Sequence, residues 1–303
     1  MATICITGGT GLIGKALTTY LSAKGHAIII LGRSAKSNSN NSVTYKQWDP
    51  VNGTIDRDAI AQSDFIFHLA GAGVADKRWT AKRKEEIRKS RVDGSALLVK
   101  SLTEIPNKVQ AVISASAIGW YGPDNGKPFT ETDPPHNDFL GSTCADWENS
   151  IEPVTALGKR LVKLRTGIVL SNEGGAFVEF KKPLKFGLAS ILGSGKQMVS
   201  WIHVLDLIRL YEYAMENEQL NGVFNAVAPN PVSSKDLTLT MAKKMRGKAF
   251  ITAPVPSFVL KVVLGEMSIE VLKSATVSAA KIQKTGFQFS FPTIEAAVNE
   301  LVA

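Results

Sequence analysis

Apolar runs and an amphipathic stretch alternate at the start of the chain. Residues 3–7 (TICIT) form a short apolar run, and residues 27–31 (AIIIL) form a second run that is apolar on both faces. A run of the second kind is typical of a strand buried inside a parallel sheet. Between them, apolar positions recur at helical spacing over residues 12–21, and Gly25 is predicted to end that helix. Strand, helix and strand make one βαβ unit.

The same alternation continues through the first half of the chain. Strands are predicted at residues 65–69, 109–114 and 161–165, and helices are predicted at residues 82–102 and 139–157. Strands that alternate with helices in this way predict an α/β fold built on a doubly wound parallel sheet.

The pattern becomes less regular after Gly167. Glycine-rich and proline-containing segments follow, separated by one helical stretch at residues 204–215. We therefore expect a first domain at residues 1–170, to which parts of residues 200–230 return. We expect a smaller C-terminal substrate lobe at residues 171–303.

Residues 249–265 are the most apolar late stretch. Pro254, Pro256 and Lys261 interrupt it, so it falls short of a membrane span in both length and continuity. A core or surface helix is the prediction for this stretch, and we expect no membrane partner.

Three glycines stand between the first predicted strand and the first predicted helix, in the segment TGGTGLIG. Gly8 permits a tight turn, Gly11 lets the backbone approach a pyrophosphate, and Gly14 lets helix and strand pack closely. The N-terminus of the helix, at Leu12 and Ile13, offers free N–H groups to phosphate oxygens. A strand on each side of the helix favours a dinucleotide site over a mere tight turn, and hence an NAD(P)-binding Rossmann fold.

The end of the second strand bears on the choice of dinucleotide. An NAD-binding domain places Asp or Glu there to bind the adenosine ribose, whereas this chain has Arg33 and Ser34. A guanidinium can pair bidentately with a 2′-phosphate. The predicted cofactor is therefore NADP(H). The alternative is that Arg33 stacks on adenine without any preference for a phosphate.

The net charge of +8 comes mostly from one segment, because residues 77–91 hold eight Lys or Arg against two Glu. A solvated helix face is the simplest interpretation, and attraction of an anionic ligand is a second one. Nucleic-acid binding has the least support, since no aromatic reader motif accompanies the charge. Cys5 and Cys144 have no disulfide or metal spacing, which favours a reducing, cytoplasmic location.

Taken in order, the motifs resemble those of the extended short-chain dehydrogenase/reductase superfamily. Within it, they resemble the NAD(P)-dependent epimerase/dehydratase group, and more narrowly the epimerase-family proteins with a C-terminal domain of unknown function. The resemblance implies that residues 250–303 form this family-specific domain within the substrate lobe. The motifs are TGGTGLIG at Thr7, HLAGAGV at His68, RW at Arg78, SR at Ser90, SASAIGWYG at Ser114, LRTGIVLS at Leu164, GSGKQMVSWIHVLDL at Gly193 and GFQFSFP at Gly286.

The resemblance implies further cofactor contacts. Leu69, Ala70 and Gly71 match the loop whose backbone passes beside the adenosine and pyrophosphate in the family. Glu86 and Arg91 lie on the following helix, and Arg91 occupies the place where members often use Asn near the cofactor ribose.

The resemblance also implies a reactive centre, and here the chain departs from the family. Ser116 matches the hydroxyl that the superfamily presents to the reacting oxygen, although a serine at a strand end can simply cap a loop. Most members place Tyr and Lys four residues apart on a helix, but Leu140 and Cys144 stand at those positions here. No Tyr-x-x-x-Lys stands at the family's position; Tyr20 and Lys24 have that spacing but belong to the first predicted helix.

Other titratable groups are candidates for the missing acid or base. Tyr121 is the nearest phenol, and an aromatic anchor for its loop is the alternative. His203 suits neutral pH, and the alternative is a residue at a helix start that is held by Asp206. Glu131 also belongs to a segment that the family places toward the cleft. The remaining histidines have no metal-ligand spacing.

Two functions follow from the resemblance. The first is an NADP(H)-dependent oxidoreductase or epimerase that acts on a small polar molecule, such as a nucleotide-linked sugar. The second is a protein that binds NADP(H) for regulation or redox sensing without turnover, which the missing Tyr and Lys favour. The C-terminal portion is expected to form a lid, a dimer surface or part of the core.

Overall fold

A computed structural model describes residues 1–33 and 42–302. Ser34, one of the predicted cofactor residues, lies outside the described residues. The strands are β1 (Thr3–Thr7), β2 (Ala27–Gly32), β3 (Val43–Asp49), β4 (Thr54–Ile55), β5 (Phe65–His68), β6 (Ala111–Ala117), β7 (Arg160–Thr166), β8 (Ile168–Leu170), β9 (Leu188–Leu192), β10 (Met198–Val199), β11 (Trp201–His203), β12 (Gly222–Ala226), β13 (Val232–Ser233) and β14 (Ile251–Val255).

Helices cover the sheet and build the C-terminal half. They are α1 (Leu12–Ala23), α2 (Arg57–Ala61), α3 (Ala81–Glu104), α4 (Phe139–Ile151), α5 (Ala176–Leu184), α6 (Val204–Glu216), α7 (Ser234–Arg246), α8 (Ser257–Leu264), α9 (Ser268–Leu272), α10 (Ala280–Lys284) and α11 (Ile294–Leu301). Short 3-10 helices occur at Ile118–Trp120, Glu152–Leu157 and Gly265–Met267.

Eight strands form one sheet in the order β12-β7-β6-β5-β1-β2-β3-β4. Seven of them run parallel, and only β4 pairs antiparallel with its neighbour β3. The order reverses between β1 and β5, so a crevice opens outside their carboxyl ends, where such sheets bind ligands. The predicted α/β fold with a doubly wound parallel sheet is confirmed.

Each face of the sheet carries its own apolar core. In β1, Ile4 and Ile6 face a core shared with α1 and α6, whereas Cys5 between them faces a core shared with α2 and α3. Ile30 and Leu31 in β2 are divided between the two cores in the same way. Side chains of a strand alternate between faces, and a sheet covered on both faces therefore needs apolar residues at every position.

The stretch at residues 249–265 corrects one prediction. A helix was expected throughout, but the first half forms β14, which pairs in parallel with β9, and only the second half forms α8. Pro254 and Pro256 explain the difference, because proline interrupts a helix but fits an edge strand and a helix start.

Residues 273–279, which we call the strap, pass between two parts of the molecule. On one side the strap bonds the loop after β6, where Asp124 accepts from the Ser274 hydroxyl at 2.5 Å and from the Thr276 N–H at 2.6 Å. On the other side Ser200, just before β11, donates to the Ala275 carbonyl at 2.8 Å and accepts from the Val277 N–H at 2.9 Å. The strap therefore ties the C-terminal portion to both segments.

Candidate functional site

The loop between β1 and α1 is a cradle that only glycine permits. Gly8 has φ +72°, and a Cβ there would lie 3.0 Å from backbone atoms of Leu69 and Ala70. A Cβ on Gly14 would lie 2.5 Å from the Cα of Gly9. The Gly11 N–H donates to the Gly8 carbonyl at 3.0 Å and closes the turn. Side chains at Gly8 and Gly14 would therefore collide with the protein's own backbone, and this tight turn requires glycine at both positions.

The N-terminus of α1 supplies donors to this cradle. Its N-cap is Gly11, and no side chain accepts from the first turn. The first N–H groups of a helix, here those of Leu12, Ile13 and Gly14, have no acceptor within the helix. Together with the helix dipole, such groups bind phosphate. The residues present therefore fit the pyrophosphate of a dinucleotide.

The loop after β5 is fixed against this cradle by a buried polar chain. Thr7 Oγ1 accepts from the N–H groups of Leu69 at 3.1 Å and Ala70 at 3.2 Å. Both lone pairs are then used, so the Thr7 hydroxyl donates to Nδ1 of His68 at 2.8 Å. Nε2 of His68 donates in turn to Ser95 at 3.1 Å. Burial lowers the pKa of His68 to about 4, which keeps this ring neutral.

Arg91 of α3 lies against the same loop and holds it through a hydrogen bond to the loop backbone. Its Nη1 donates to the carbonyls of Ala72 at 3.0 Å and Ile87 at 2.9 Å, and its guanidinium covers the Trp147 ring at 4.9 Å. A Cβ on Gly71 would lie 3.0 Å from the guanidinium carbon. Nη1 of Arg91 therefore bonds one carbonyl of the loop and one carbonyl of α3.

Two other predicted cofactor residues lie at the surface. Glu86 is exposed and pairs with Arg83 at 2.7 Å, which lowers the pKa of the Glu86 carboxyl. Arg33 is exposed at the end of β2, and its carbonyl accepts from the Gln47 side chain at 3.3 Å. Arg33 thus directly follows the carboxyl end of β2, the position beside which dinucleotide-binding folds hold the adenosine ribose.

Ser116 belongs to a buried ionic network at the carboxyl end of β6. Its hydroxyl donates to Glu148 of α4 at 2.7 Å. Arg165 of β7 pairs with the same carboxylate through two bonds, at 2.8 and 3.0 Å. The side chains of Glu148 and Arg165 are only 5% and 3% exposed. Since its proton is given to Glu148, the Ser116 oxygen can only accept a further hydrogen bond.

The same network holds Tyr121. Its hydroxyl donates to the Asn225 side chain at 2.7 Å and accepts from Arg165 at 3.1 Å. Its ring stacks on Phe129 at 5.1 Å and is completely buried. Burial is the largest effect and raises the pKa of Tyr121 to about 12, against the opposing effect of Arg165. Glu131 closes this network by accepting from the Asn225 N–H at 2.8 Å.

His203 caps α6, and both ring nitrogens have partners. Nδ1 accepts from the Leu205 N–H at 3.1 Å, so Nε2 carries the proton and donates to Glu300 at 2.8 Å. Asp206 was expected to hold His203 in the structural alternative, and that pairing was wrong. Asp206 instead accepts from the N–H groups of Ser290 and Phe291, both at 2.8 Å.

The positions of the missing Tyr and Lys are filled by packing. Cys144 is buried, donates to the Ala117 carbonyl at 3.7 Å, and has a pKa that burial raises to about 12. Leu140 and Cys144 both lie against Gly119, where a Cβ would come within 3.2 Å of Leu140 and 3.6 Å of the Cys144 sulfur. These two side chains therefore close the space below the turn that carries Tyr121.

Glu148, Arg165 and Asn225 were not predicted from the sequence. One signal was available, because Lys163 and Arg165 alternate with apolar residues in the interior of the strand RLVKLRT. A charged residue in a strand that is covered on both faces needs a partner. The identity of the partner depends on the packing of α4 on β7, which the sequence pattern does not contain.

The basic segment at residues 77–91 is largely used within the molecule. Its cations contact the loop after β5, helix α4 and the C-terminal portion. These contacts are Arg83 to the Gly73 carbonyl at 2.5 Å, Arg88 to Asp146 at 2.6 Å, Arg78 to the Val262 carbonyl at 2.8 Å, and Lys84 to Glu266. The interpretation as a purely solvated face was therefore incomplete.

Comparisons with known proteins agree with this geometry. Residues 4–140 match the NAD dependent epimerase/dehydratase family, and residues 255–301 match a domain of unknown function, DUF1731. Epimerase family protein YfhF of Bacillus subtilis is 35% identical over 301 residues, which cover 99% of this chain and 98% of YfhF. The chain belongs to the epimerase family. Within that family it has the NAD(P)-dependent oxidoreductase fold.

Solved structures of the epimerase family extend the match. The crystal structure of human epimerase family protein SDR39U1 (isoform2) with NADPH is 30% identical, with 99% of each chain covered and a TM-score of 0.86. A nucleoside-diphosphate sugar epimerase from Corynebacterium glutamicum is 31% identical, with a TM-score of 0.79; the match covers 99% of this chain and 58% of that one. The resemblance inferred from the motifs is confirmed.

Two other kinds of feature are absent from the described residues. Within residues 1–33 and 42–302, no helix is both long and apolar enough to cross a membrane. The same part of the chain contains no group of three or more His, Cys, Asp or Glu side chains arranged to hold a metal ion.

Proposed function

We propose that this epimerase-family protein is an NADP(H)-dependent oxidoreductase or epimerase that acts on a small polar molecule. The observation that carries the proposal is the glycine cradle at the N-terminus of α1, where a Cβ at Gly8 or Gly14 would collide with the backbone. Arg33 at the end of β2 supports NADP(H) over NAD(H), because no carboxylate stands beside it in β2 to repel a 2′-phosphate. The relative crystallised with NADPH supports the same choice.

The bound nicotinamide would supply hydride exchange at the crevice outside β1, β5 and β6. Gly11, Leu12 and Ile13 would bind the pyrophosphate through backbone N–H groups. Leu69, Ala70 and Gly71 would line the adenosine side, and Arg91 would keep that loop in place. Glu86 remains a candidate contact at the surface of α3.

Ser116 is our candidate for binding the reacting group. In the present arrangement its oxygen accepts, so it suits a substrate hydroxyl better than a carbonyl. A nucleotide-linked sugar carries such hydroxyls and is our proposed substrate class. Tyr121 and His203, the sequence candidates for proton transfer, would first have to leave their hydrogen-bond partners.

The cofactor choice can be tested by fluorescence titration with NADPH and NADH. We expect tighter binding of NADPH, and we expect Arg33→Ser to remove most of that difference while leaving NADH binding unchanged. Arg57→Ser, which removes another exposed arginine, is the matched control. Tighter binding of NADH by the unmodified protein would contradict the NADP(H) proposal.

A second function is favoured by one observation. Ser116, Tyr121 and His203 all give their protons to partners within the protein. A protein that binds NADP(H) without turnover, for regulation or redox sensing, needs no free acid or base. Purified protein with bound nucleotide should then keep the oxidation state of that nucleotide when sugar nucleotides, aldehydes and quinones are added. A change in absorbance at the nicotinamide band would instead favour the enzyme.

The proposal also covers the division of the chain into domains and the cellular compartment of the protein. We propose residues 171–303 as the lobe that binds substrate, since Gly174 and Gly175 lie beside Leu12 at the edge of the cradle, where an added Cβ would come within 3.8 and 3.6 Å of the Leu12 side chain. We propose a cytoplasmic protein because Cys5 and Cys144 are free, buried thiols, as a reducing compartment keeps them.

A further inference from the structure

Exposed apolar side chains are concentrated in one part of the C-terminal portion. In the described part of the chain nine large apolar side chains are exposed, and four of them lie within residues 258–269. Their exposed fractions are 69% for Phe258, 72% for Val262, 61% for Val263 and 56% for Ile269. Single exposed apolar residues are ordinary, but a concentration of this kind marks an interaction surface.

Helix α8 presents most of this surface outward. Leu260 is its only buried residue, and it anchors the helix to the rest of the protein. The outward residues are Phe258, Val262 and Val263, with Lys261 as the one charge among them. Ile269 continues the surface on α9. We call these four apolar residues, with Lys261, the α8 surface.

The charge around the α8 surface is positive. The Arg78 guanidinium donates to the Val262 carbonyl at 2.8 Å, so the basic segment at residues 77–91 borders α8 directly. The acidic residues beside α8 are neutralised, because Glu266 pairs with Lys84 and Glu270 pairs with Lys273. Lys261 and Arg78 therefore remain as exposed cations at an apolar surface.

We propose that the α8 surface binds the face of an anionic lipid bilayer. Apolar side chains would enter the boundary between headgroups and acyl chains, and the surrounding cations would lie among the phosphates. A second copy of this chain fits less well, because a symmetric contact would bring two positive rims together. The earlier expectation of no membrane partner rested on the length of the apolar stretch, which excludes a span but not surface binding.

Flotation with lipid vesicles tests this proposal. The full chain, loaded with NADPH, is mixed with vesicles of phosphatidylcholine alone or with an equal amount of phosphatidylglycerol. We expect binding to the phosphatidylglycerol vesicles only, weakened by added salt. Phe258→Ser combined with Val262→Ser should bind about tenfold or more weakly, since two side chains lose their apolar contact. Both positions are exposed, so the double variant should keep the thermal stability and NADPH affinity of the unmodified protein.

Phe186→Ser combined with Ile251→Ser is the matched control. These side chains are 87% and 70% exposed but lie outside the α8 surface, and their loss should leave vesicle binding unchanged. Absence of binding by the unmodified protein, equal binding to neutral vesicles, or undiminished binding by the double α8 variant would each overturn the proposal. A dimer in analytical ultracentrifugation that the double α8 variant converts to a monomer would assign the surface to a second copy instead.

Discussion

Replacing Glu148 by Gln should destabilise the protein by about 3–5 kcal/mol, because the change leaves a buried cation without its counter-charge. Glu148 accepts three hydrogen bonds, two from Arg165 and one from Ser116. Both members of the ion pair are almost fully buried. Opposite charges about 4 Å apart attract by about 4 kcal/mol at an effective dielectric constant near 20, which agrees with the expected cost.

A double-mutant cycle separates this attraction from the loss of shape. Arg165→Met removes the cation and keeps much of the apolar stem. If the ion pair accounts for most of the destabilisation, the double variant Glu148→Gln, Arg165→Met should lose less free energy of unfolding than the sum of the two single variants, by about 2 kcal/mol or more. The exposed pair of Glu179 and Lys182 gives the matched control, and Glu179→Gln should cost no more than about 1 kcal/mol.

Urea unfolding monitored by tryptophan fluorescence suits this measurement. The Trp120 ring lies 3.5 Å from the guanidinium carbon of Arg165 and therefore reports on the network itself. A cost of less than about 1 kcal/mol for Glu148→Gln, or full additivity in the cycle, would refute the view that a desolvated ion pair supports Ser116.

Three further predictions concern the cradle, the phenol and a buried ring. Gly14→Ala should abolish NADPH binding in a fluorescence titration, because the added methyl collides with the glycine-loop backbone. Tyr121→Phe should cost about 1–3 kcal/mol in urea unfolding, because Arg165 and Asn225 each lose a partner. His68 has a folded pKa of about 4, below its ordinary value, so the unfolded chain binds more protons as the pH falls. Stability should therefore decrease by up to about 3 kcal/mol between pH 7 and pH 4, and His68→Gln should flatten that dependence.

The parallel sheet could be predicted from the sequence because its strands are apolar at consecutive positions. In β2, the residues Ile28 to Leu31 are all buried, and so a window of a few residues contains the whole signal. Strand β3 was not predicted. Only Val43 and Trp48 are buried among its seven residues, and the polar remainder hides the pattern.

The cofactor cradle and the reactive centre differ in the sequence separation of the residues that form them. The cradle lies within eight consecutive residues. Its glycines are required by the backbone conformation of the turn, so their spacing in the sequence is enough to predict it. The partner of Ser116 lies 32 residues away, and that of Tyr121 lies 104 residues away. Such contacts depend on which elements pack together. The motif SASAIGWYG therefore located Ser116 and Tyr121 without revealing that both hydroxyls donate to other side chains.

The strap has a consequence for how the chain folds. Asp124 meets Thr276 across 152 positions, and Ser200 meets Val277 across 77. Contacts between residues so distant in sequence form late and slow the folding of a domain. During synthesis, the loop after β6 stays without its strap until most of the polypeptide has left the ribosome. A nascent chain could therefore complete its dinucleotide cradle well before the loop that carries Tyr121 reaches its final form.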